Sequence, residues 1–401
     1  MWHTKRTTSR VALAVLLIAV VVALWTVGCG SKAAASRSPG TASTVGAALI
    51  VPAPSAPAPT HSRTRAATRA RAALSAFDRA FYVASGLQAH HANSTAGRRA
   101  DFWRQAELIE MEEDAYQNTG DPASKKKIVA LMRGVVSLHG RNWAKRTWND
   151  DIMWMVIASV RAYELTGDTA YRTMAQRSFD ATYARSWSKD FGGGLWWTTA
   201  RTQKNVTTNA PAAIAACKLA TALHDPTYLT KAKRLYGWVR KTLYDAKSGA
   251  VWDSISPAKG GTGVVVNRAG LTYNQGTFIG VADLLYHATR ERTYYEDALR
   301  TLGYTKANLT TNGILQSEIS GHNGNFGGFK GIFCRWAVKF VRDTHISSYD
   351  AWFQQNADAA WRHRNANGLM GQDWSAQTGT GVLQAWDCSS AVVLLVAISG
   401  S

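Results

Sequence analysis

The strongest constraint on this chain is a set of helical segments that are apolar on nearly every side, spaced between segments that keep a polar face. Ile152 to Val160, Ala210 to Leu223 and Thr277 to Ala288 are of the first kind, and Gly331 to Val341 and Ala385 to Ile398 continue the series. A helix without a polar face has to be buried, and one with a polar face covers it. The first three segments are each followed by the same short pattern, an acidic residue with Tyr three positions later and Ala seven positions later. Its copies are Asp168, Tyr171 and Ala175, then Asp225, Tyr228 and Ala232, then Glu291, Tyr294 and Ala298. They stand 57 and 66 residues apart, long enough for a helical hairpin with an extended loop. No long stretch alternates with the period of two that half-buried strands require. With an early pair around Ala73 to Gly86 and Asp101 to Gly120, six hairpins are expected. The expected fold is therefore all-α, an inner ring of helices wrapped by an outer ring: one (α/α)6 barrel over residues 73–401. Its 401 residues would allow two or three average domains, but one large unit fits this alternation better.

The N-terminus reads differently. Lys5, Arg6 and Arg10 precede the apolar run Val11 to Val27, and small residues follow, the three parts of an export signal. Thr26-Val27-Gly28-Cys29 resembles the lipobox of bacterial lipoproteins, with Thr26 where that pattern prefers Leu. Residues 1–29 are thus expected to be an export signal of lipoprotein type, with cleavage after Ala35 or an uncleaved signal anchor as alternatives. Residues 30–72 are rich in Ala, Ser, Pro and Thr, with Pro52, Pro54, Pro57 and Pro59 close together and four arginines from Arg63 to Arg71. Such a segment buries too little apolar surface to offset its ordering entropy, and a disordered tether is expected. Nine of the nineteen net positive charges fall before residue 75. The remaining basic excess favours loose attraction to anionic surfaces, and no basic run interleaved with aromatics resembles a nucleic-acid footprint. The expected location is exported, either a cell-surface lipoprotein or a secreted protein, with contact to the membrane through the N-terminal lipid or anchor, and a monomer. Cys217, Cys334 and Cys388 each sit in an apolar helical pattern and read as buried thiols. Neither a C-x-x-C nor a His-x-x-x-His pair argues for zinc, so no metal or cofactor is expected.

Chemistry is most legible at Asp150 and Asp151, which open the apolar segment that starts at Ile152. Hydrolysis of a glycosidic bond commonly needs one carboxyl group to protonate the departing oxygen and a second to attack the anomeric carbon. Trp148, Asn149 and Trp154 add the aromatic faces and amide that hold a sugar ring. The alternative is that Asn149 or Asp150 caps a helix and the next carboxylate interacts with the dipole. Three further loops also precede apolar helices. They are Gly192 to Trp197 with Lys204 to Asn209, then Thr272 to Gly276, then Gly321 to Lys330. All four would line one cavity if the inner helices share an end, and sixteen Trp in the chain suit stacking against pyranose faces.

These residues resemble glycoside hydrolase family 76, the endo-α-1,6-mannanases, over roughly Ala73 to Ile398. Trp148-Asn149-Asp150-Asp151 with Trp154 is similar to the family's paired-aspartate motif. Gly193-Gly194-Leu195-Trp196-Trp197 with Lys204, Asn205 and Asn209 is similar to its second, and Tyr273-Asn274-Gln275-Gly276 to its third. Phe329-Lys330-Gly331-Ile332-Phe333 with Arg335 is similar to its fourth, and Asn356-Ala357-Asp358 with Ala360-Trp361 and Gly368 to its late helix. Asn323-Gly324-Asn325 departs from the acidic residue that the family places before the Phe-Lys-Gly run. The resemblance implies an (α/α)6 barrel cleaving internal α-1,6-mannosidic bonds of mannan with retention, Asp150 as nucleophile and Asp151 as general acid/base. Asp150 and Asp151 can act on one anomeric carbon only where the backbone is not yet helical, since helical neighbours point about 100° apart. A separation of ~5 to 5.5 Å is then expected, with Asp151 raised by its neighbour's charge and partial burial. The expected substrate-binding set is Trp148, Asn149, Trp154, Trp196, Trp197, Asn205, Asn209, Tyr273, Asn274, Gln275, Asn325, Phe329 and Lys330. A transglycosidase on α-mannosides shares the covalent step, and a non-catalytic mannan-binding lipoprotein would keep the cleft without turnover. Epimerases of the same shape rely on His, but only His322 falls in these loops, where it reads as a polar loop residue. His139, His224 and His287 read as packing or surface positions.

Overall fold

The computed structural model of the protein describes residues 60–318 and 327–400. The export signal, Cys29, most of the tether, and His322 and Asn325 lie outside the described residues. Twelve α-helices are described: α1 (Thr60–Phe81), α2 (Phe102–Thr119), α3 (Pro122–His139), α4 (Asn149–Thr166), α5 (Thr169–Ser186), α6 (Val206–Leu223), α7 (Pro226–Thr242), α8 (Thr272–Thr289), α9 (Arg292–Asn308), α10 (Phe329–Asp343), α11 (Asp350–Arg362) and α12 (Ala385–Ser399). The even-numbered helices close a ring, α2 on α4, α4 on α6, α6 on α8, α8 on α10, α10 on α12 and α12 back on α2. The odd-numbered helices cover them, α3 on α2, α5 on α4, α7 on α6, α9 on α8, and α1 and α11 on α12. This is the all-α, six-hairpin barrel that the alternation of apolar and amphipathic segments predicts. Cys217, Cys334 and Cys388 are buried free thiols within it.

The acidic–Tyr–Ala pattern marks where outer helices begin. Asp168 and Asp225 are N-caps whose side chains accept from the N–H groups of Ala170 and Thr227, both at 2.9 Å. Tyr171, Tyr228 and Tyr294 are buried one turn on, and Ala175, Ala232 and Ala298 have no exposed surface. The pattern is a cap followed by the inward stripe of a covering helix. Where inner helices approach most closely, glycine is required. A Cβ on Gly276 of α8 would lie 2.4 Å from the Phe333 Cα of α10.

Apart from the early pair, which is no hairpin because α1 packs on α12 and α2 pairs with α3, two features depart from the expectations. The first helix begins at Thr60, inside the segment expected to be a tether, because Ala70, Ala73, Ala76 and Phe77 form a stripe facing the core while Arg69 pairs with Asp358 and lies over Trp361. The second is α2, an inner helix that carries Glu107, Glu110, Glu112 and Glu113 fully buried. Charges in such a place persist only when paired. Arg161 of α4 reaches Glu110 at 2.9 Å and Asp114 at 2.6 Å, and Arg335 of α10 reaches Glu107 at 2.6 Å and Asp114 at 2.7 Å.

Short strands trim the loops: the antiparallel hairpin β1 (Tyr82–Ser85) and β2 (Gln88–His91), the sheet β3 (Lys204–Asn205), β4 (Ser254–Pro257) and β5 (Val264–Asn267), and the pair β6 (Thr310–Thr311) and β7 (Ile314–Leu315). The middle sheet runs antiparallel in the order β3-β4-β5 and ties the segment before α6 to the segment before α8. Among the described residues no helix is long and apolar enough to cross a membrane.

Candidate active site

Each inner helix is followed by an outer helix that returns, so the N-termini of α4, α6, α8, α10 and α12 gather at one end of the barrel. Asp150 and Asp151 stand there in the first turn of α4, whose N-cap is Trp148. Neither Asn149 nor Asp150 caps the helix, so the capping alternative does not account for them. The expectation that the backbone at Asp150 and Asp151 is not yet helical is corrected: both are within the helix. They still share the mouth because Cα–Cβ bonds tilt toward a helix N-terminus, which sends first-turn side chains past the helix end.

The segment before α4 is fixed by the 192–205 loop. Asn149 N–H donates to Trp197 O at 2.8 Å, Thr199 N–H donates to Thr147 O at 3.0 Å, and Trp148 faces Thr198 in an isolated bridge. The Asn149 side chain donates to Trp196 O at 2.7 Å and accepts from Arg185 Nη2 at 2.6 Å, while Arg185 also donates to Arg146 O at 2.7 Å. Asp150 is thereby held beneath Trp197, whose indole N–H donates to its Oδ2 at 2.9 Å. The other oxygen of Asp150 is buried with no hydrogen-bond partner among the described residues. Asp151 is less enclosed, its side chain 16% exposed and 3.8 Å from Arg146 Nη2.

This environment pushes both carboxyls up. Burial, then the charge of Asp151, raises Asp150 to about 8 against the opposing Trp197 hydrogen bond. Burial raises Asp151 to about 6, with the positive charge of Arg146 opposing it. Near neutral pH the pair therefore holds one proton and one charge, and the greater shift falls on Asp150 because it is fully enclosed and has no cation beside it. The sequence expectation put the raised group at Asp151 alone; both are raised.

Aromatic rings border the mouth. Trp148 is 44% exposed and meets Trp197 edge-on at 4.7 Å. The Tyr273 ring lies 4.0 Å from that of Phe329, and its hydroxyl feels the charges of Asp253, Asp150 and Glu318. Trp386 links Phe329 to Trp103 through edge contacts of 6.4 and 5.0 Å.

Several residues expected to touch substrate are used up by the scaffold. Trp154 is buried one turn into α4 and presents no face to the mouth. Trp196 is buried under the Lys204 ammonium, 4.7 Å above its ring. Asn205 caps α6 by accepting from Thr208 N–H at 3.2 Å. Asn209 accepts from Leu195 N–H at 2.7 Å and donates to Leu195 O at 3.0 Å. Gln275 does the same to Val251, at 2.9 and 2.7 Å. Asn149 is likewise committed at both ends of its amide. Lys330 is buried, its Nζ 3.3 Å from Leu315 O and 4.3 Å from the Trp374 ring, and burial lowers it to about 8. Asn274 is committed at one end only: it donates to Asp253 Oδ1 at 3.1 Å, and its own Oδ1 is buried without a partner among the described residues. Of the expected set, Trp148 and Trp197 keep partly exposed rings beside Asp150, while Tyr273 and Phe329 pack on each other with only 6% and 8% exposure.

Other residues at this end carried no sequence signal. Asp253 accepts from Asn274 and, at 3.0 Å, from Asn267, which braces β5 beside Tyr273. Asp387, in the first turn of α12, has a buried Oδ1 without a hydrogen-bond partner among the described residues, and burial raises it to about 6 against Arg104 and Lys330. Gln105 holds the backbone of His91 as Asn209 and Gln275 hold theirs. All three amides occupy the same position, the fourth residue of an inner helix.

The profile of glycosyl hydrolase family 76 matches residues 64–397. An α-1,6-mannanase of Salegentibacter sp. HEL1_6 is 30% identical, with 83% of this chain and 98% of that one covered and a TM-score of 0.76. A variant of that enzyme inactivated by replacing two adjacent aspartates with asparagine, in complex with α-1,6-mannotriose, matches at 29% identity, 83% and 99% coverage and a TM-score of 0.77. A protein from Listeria innocua matches at 26% identity, 83% and 96% coverage and a TM-score of 0.76. No curated protein sequence matches the chain.

Proposed function

The chain belongs to glycosyl hydrolase family 76 and is a glycoside hydrolase, and from that premise we propose that it is an exported retaining enzyme cleaving internal α-1,6-mannosidic bonds of mannan or mannose-rich glycans. The observation that carries the reading is the pair of enclosed neighbouring carboxyls that share one proton at an aromatic-rimmed mouth. The loss of activity in the Salegentibacter enzyme on replacing two adjacent aspartates, and its complex with α-1,6-mannotriose, support it.

Asp150 is the nucleophile in this mechanism and Asp151 the general acid/base. The enclosed group, fixed by an indole N–H, suits attack from beneath the sugar, whereas the acid/base must meet both the leaving oxygen and an incoming water. Asp151, the more exposed of the two, is placed for that. In the free site the higher value lies on Asp150. Positive charge developing at the anomeric carbon favours ionised Asp150 and leaves the proton on Asp151. Asp150 then forms a bond to the anomeric carbon while the glycosidic C–O bond breaks and Asp151 protonates the departing oxygen. Asp151 next takes a proton from water, whose oxygen displaces Asp150 and restores the original configuration.

Digestion of linear α-1,6-mannan should release short oligosaccharides early, as an endo-acting enzyme does. Asp151→Ala should retain activity on an aryl α-mannoside with a good leaving group and form an α-mannosyl azide when azide is supplied, while Asp150→Ala should be inactive on both substrates. Reversal of the two phenotypes would exchange the roles, and full activity in both variants would end the proposal. The export signal and the lipobox-like Cys29 support a lipid-anchored enzyme at the cell surface, which we propose to be a monomer. Fatty-acid labelling lost in Cys29→Ser, and light scattering of the soluble domain, test those two points.

A further inference from the structure

Away from the mouth, Asp78 of α1, His91 of β2 and Glu112 of α2 converge beneath the outer helix α3. Each offers one ligand atom, and these atoms all lie within 4.8 Å of one another. His91 has no exposed surface, and neither ring nitrogen has a hydrogen-bond partner among the described residues. Asp78 Oδ1 and Glu112 Oε1 are buried and unpartnered as well. Four orphaned polar atoms at one place are unusual, because buried nitrogen and oxygen atoms are nearly always bonded.

The imidazole is held in position. Gln105 accepts from the His91 N–H at 3.2 Å and donates to its carbonyl at 2.7 Å, and Phe77 and Tyr82 pack edge-on against the ring. A ring presented this rigidly, with both nitrogens unused, is suited to donate a lone pair. We propose that Asp78, His91 and Glu112 bind one divalent cation of the zinc class, as a structural site that clamps the β1–β2 hairpin between α1 and α2. Two carboxylates and a neutral imidazole balance the charge of such an ion, and mixed nitrogen and oxygen donors match its preference. Metal–ligand bonds of ~2.0–2.2 Å set tetrahedral ligand atoms ~3.3–3.6 Å apart, so rotamer changes draw the three atoms in from the 4.8 Å within which they now lie.

Lys127 of α3 is the competitor. Its ammonium pairs with Asp78 and lies 3.5 Å from Glu112 Oε2, so it supplies one positive charge to two carboxyls. The Lys127 side chain is 23% exposed and can turn outward to water when a cation enters.

Chelator-treated protein titrated with zinc chloride, followed by calorimetry and by the thermal midpoint, tests the site. One ion should bind per chain and raise the midpoint, and cobalt should give the visible absorption of nitrogen and oxygen coordination. Lys127→Ala, which removes the competitor and no ligand, should bind zinc at least tenfold more tightly. His91→Ala and Glu112→Gln should each lose saturable binding; if His91→Ala does not fold, Glu112→Gln carries the comparison. Mannan cleavage by the chelated wild type should be unchanged. Failure of both wild type and Lys127→Ala to bind one ion, or undiminished binding in Glu112→Gln, would overturn the proposal.

Discussion

Replacing Trp197 by Phe would isolate what holds Asp150 in its working state. The substitution keeps a ring against Trp148 but removes the indole N–H that donates to Asp150 Oδ2 at 2.9 Å. Hydrogen bonds to charged groups contribute about 1.5–3 kcal/mol. At about 1.4 kcal/mol per pKa unit, losing a bond that favours the ionised carboxylate raises Asp150 by roughly 1–2 units. The direction follows from the bond itself: Trp197 opposes the upward push of burial and of Asp151, so its removal leaves that push unopposed. A nucleophile must be ionised, and the acidic limb of the pH–rate profile for mannan cleavage should therefore move upward by roughly 1–2 units. Below that limb the loss in rate should reach roughly 10- to 100-fold, and on the alkaline side it should shrink. Initial rates on an α-1,6-mannooligosaccharide from pH 4 to 9 would measure it. An unmoved acidic limb, or a loss of the same size at every pH, would refute the claim that Trp197 acts through the ionisation of Asp150.

Asp150→Asn should abolish cleavage yet stabilise the fold above neutrality. The folded state holds the Asp150 proton up to about pH 8 while the unfolded chain releases it near 4, so stability falls as pH rises through that window. Removing the carboxyl should return on the order of 2–5 kcal/mol at pH 8 and almost nothing at pH 4, as read by urea unfolding at the two pH values. Trp148→Ala should raise KM for mannan roughly 5- to 10-fold, the loss of ~1–1.5 kcal/mol of stacking, while stability stays within about 0.5 kcal/mol because the ring is 44% exposed. Arg335→Ala should lower stability by about 3–5 kcal/mol in urea melts, since it strands Glu107 as an uncompensated buried charge and leaves Asp114 to Arg161 alone.

Five of the six inner helices can be read from sequence because they are apolar all round, and burial on every side leaves no other reading. Helix α2 was legible as a member of the early pair but not as the sixth inner helix. Its acids at 107, 110, 113 and 114 form a charged stripe that an isolated helix would turn to water, and the two arginines that neutralise them lie on α4 and α10, far along the chain. The start of α1 was hidden for a related reason: arginines among alanines have the composition of a tether, and only the Ala70, Ala73, Ala76, Phe77 stripe distinguishes a covering helix. Asp150 and Asp151 stood out as adjacent acids before an apolar run. Asp253 and Asp387 are isolated acids, and nothing local separates them from surface residues.

Amide-rich loops were the most misleading signal, and their actual use bears on catalysis. An Asn or Gln side chain offers a donating NH2 group and an accepting oxygen, which suits a sugar hydroxyl pair and suits a peptide unit equally well. Asn209 and Gln275 each bind the N–H and C=O of a single loop residue, and Asn149 links the Trp196 carbonyl to Arg185. These amides are buried as well as engaged at both ends, which withdraws them from the mouth and, under the proposed function, leaves recognition to partly exposed rings such as Trp148 and Trp197. The amides instead lock the segments from which those rings and Asp150 project. Catalytic groups need positions fixed to within ~0.5 Å, and loops reach such precision only when a supporting shell holds their backbone. Loosening one of these clamps should therefore lower kcat before it raises KM, because the stacking surfaces tolerate displacement that an attacking carboxylate does not.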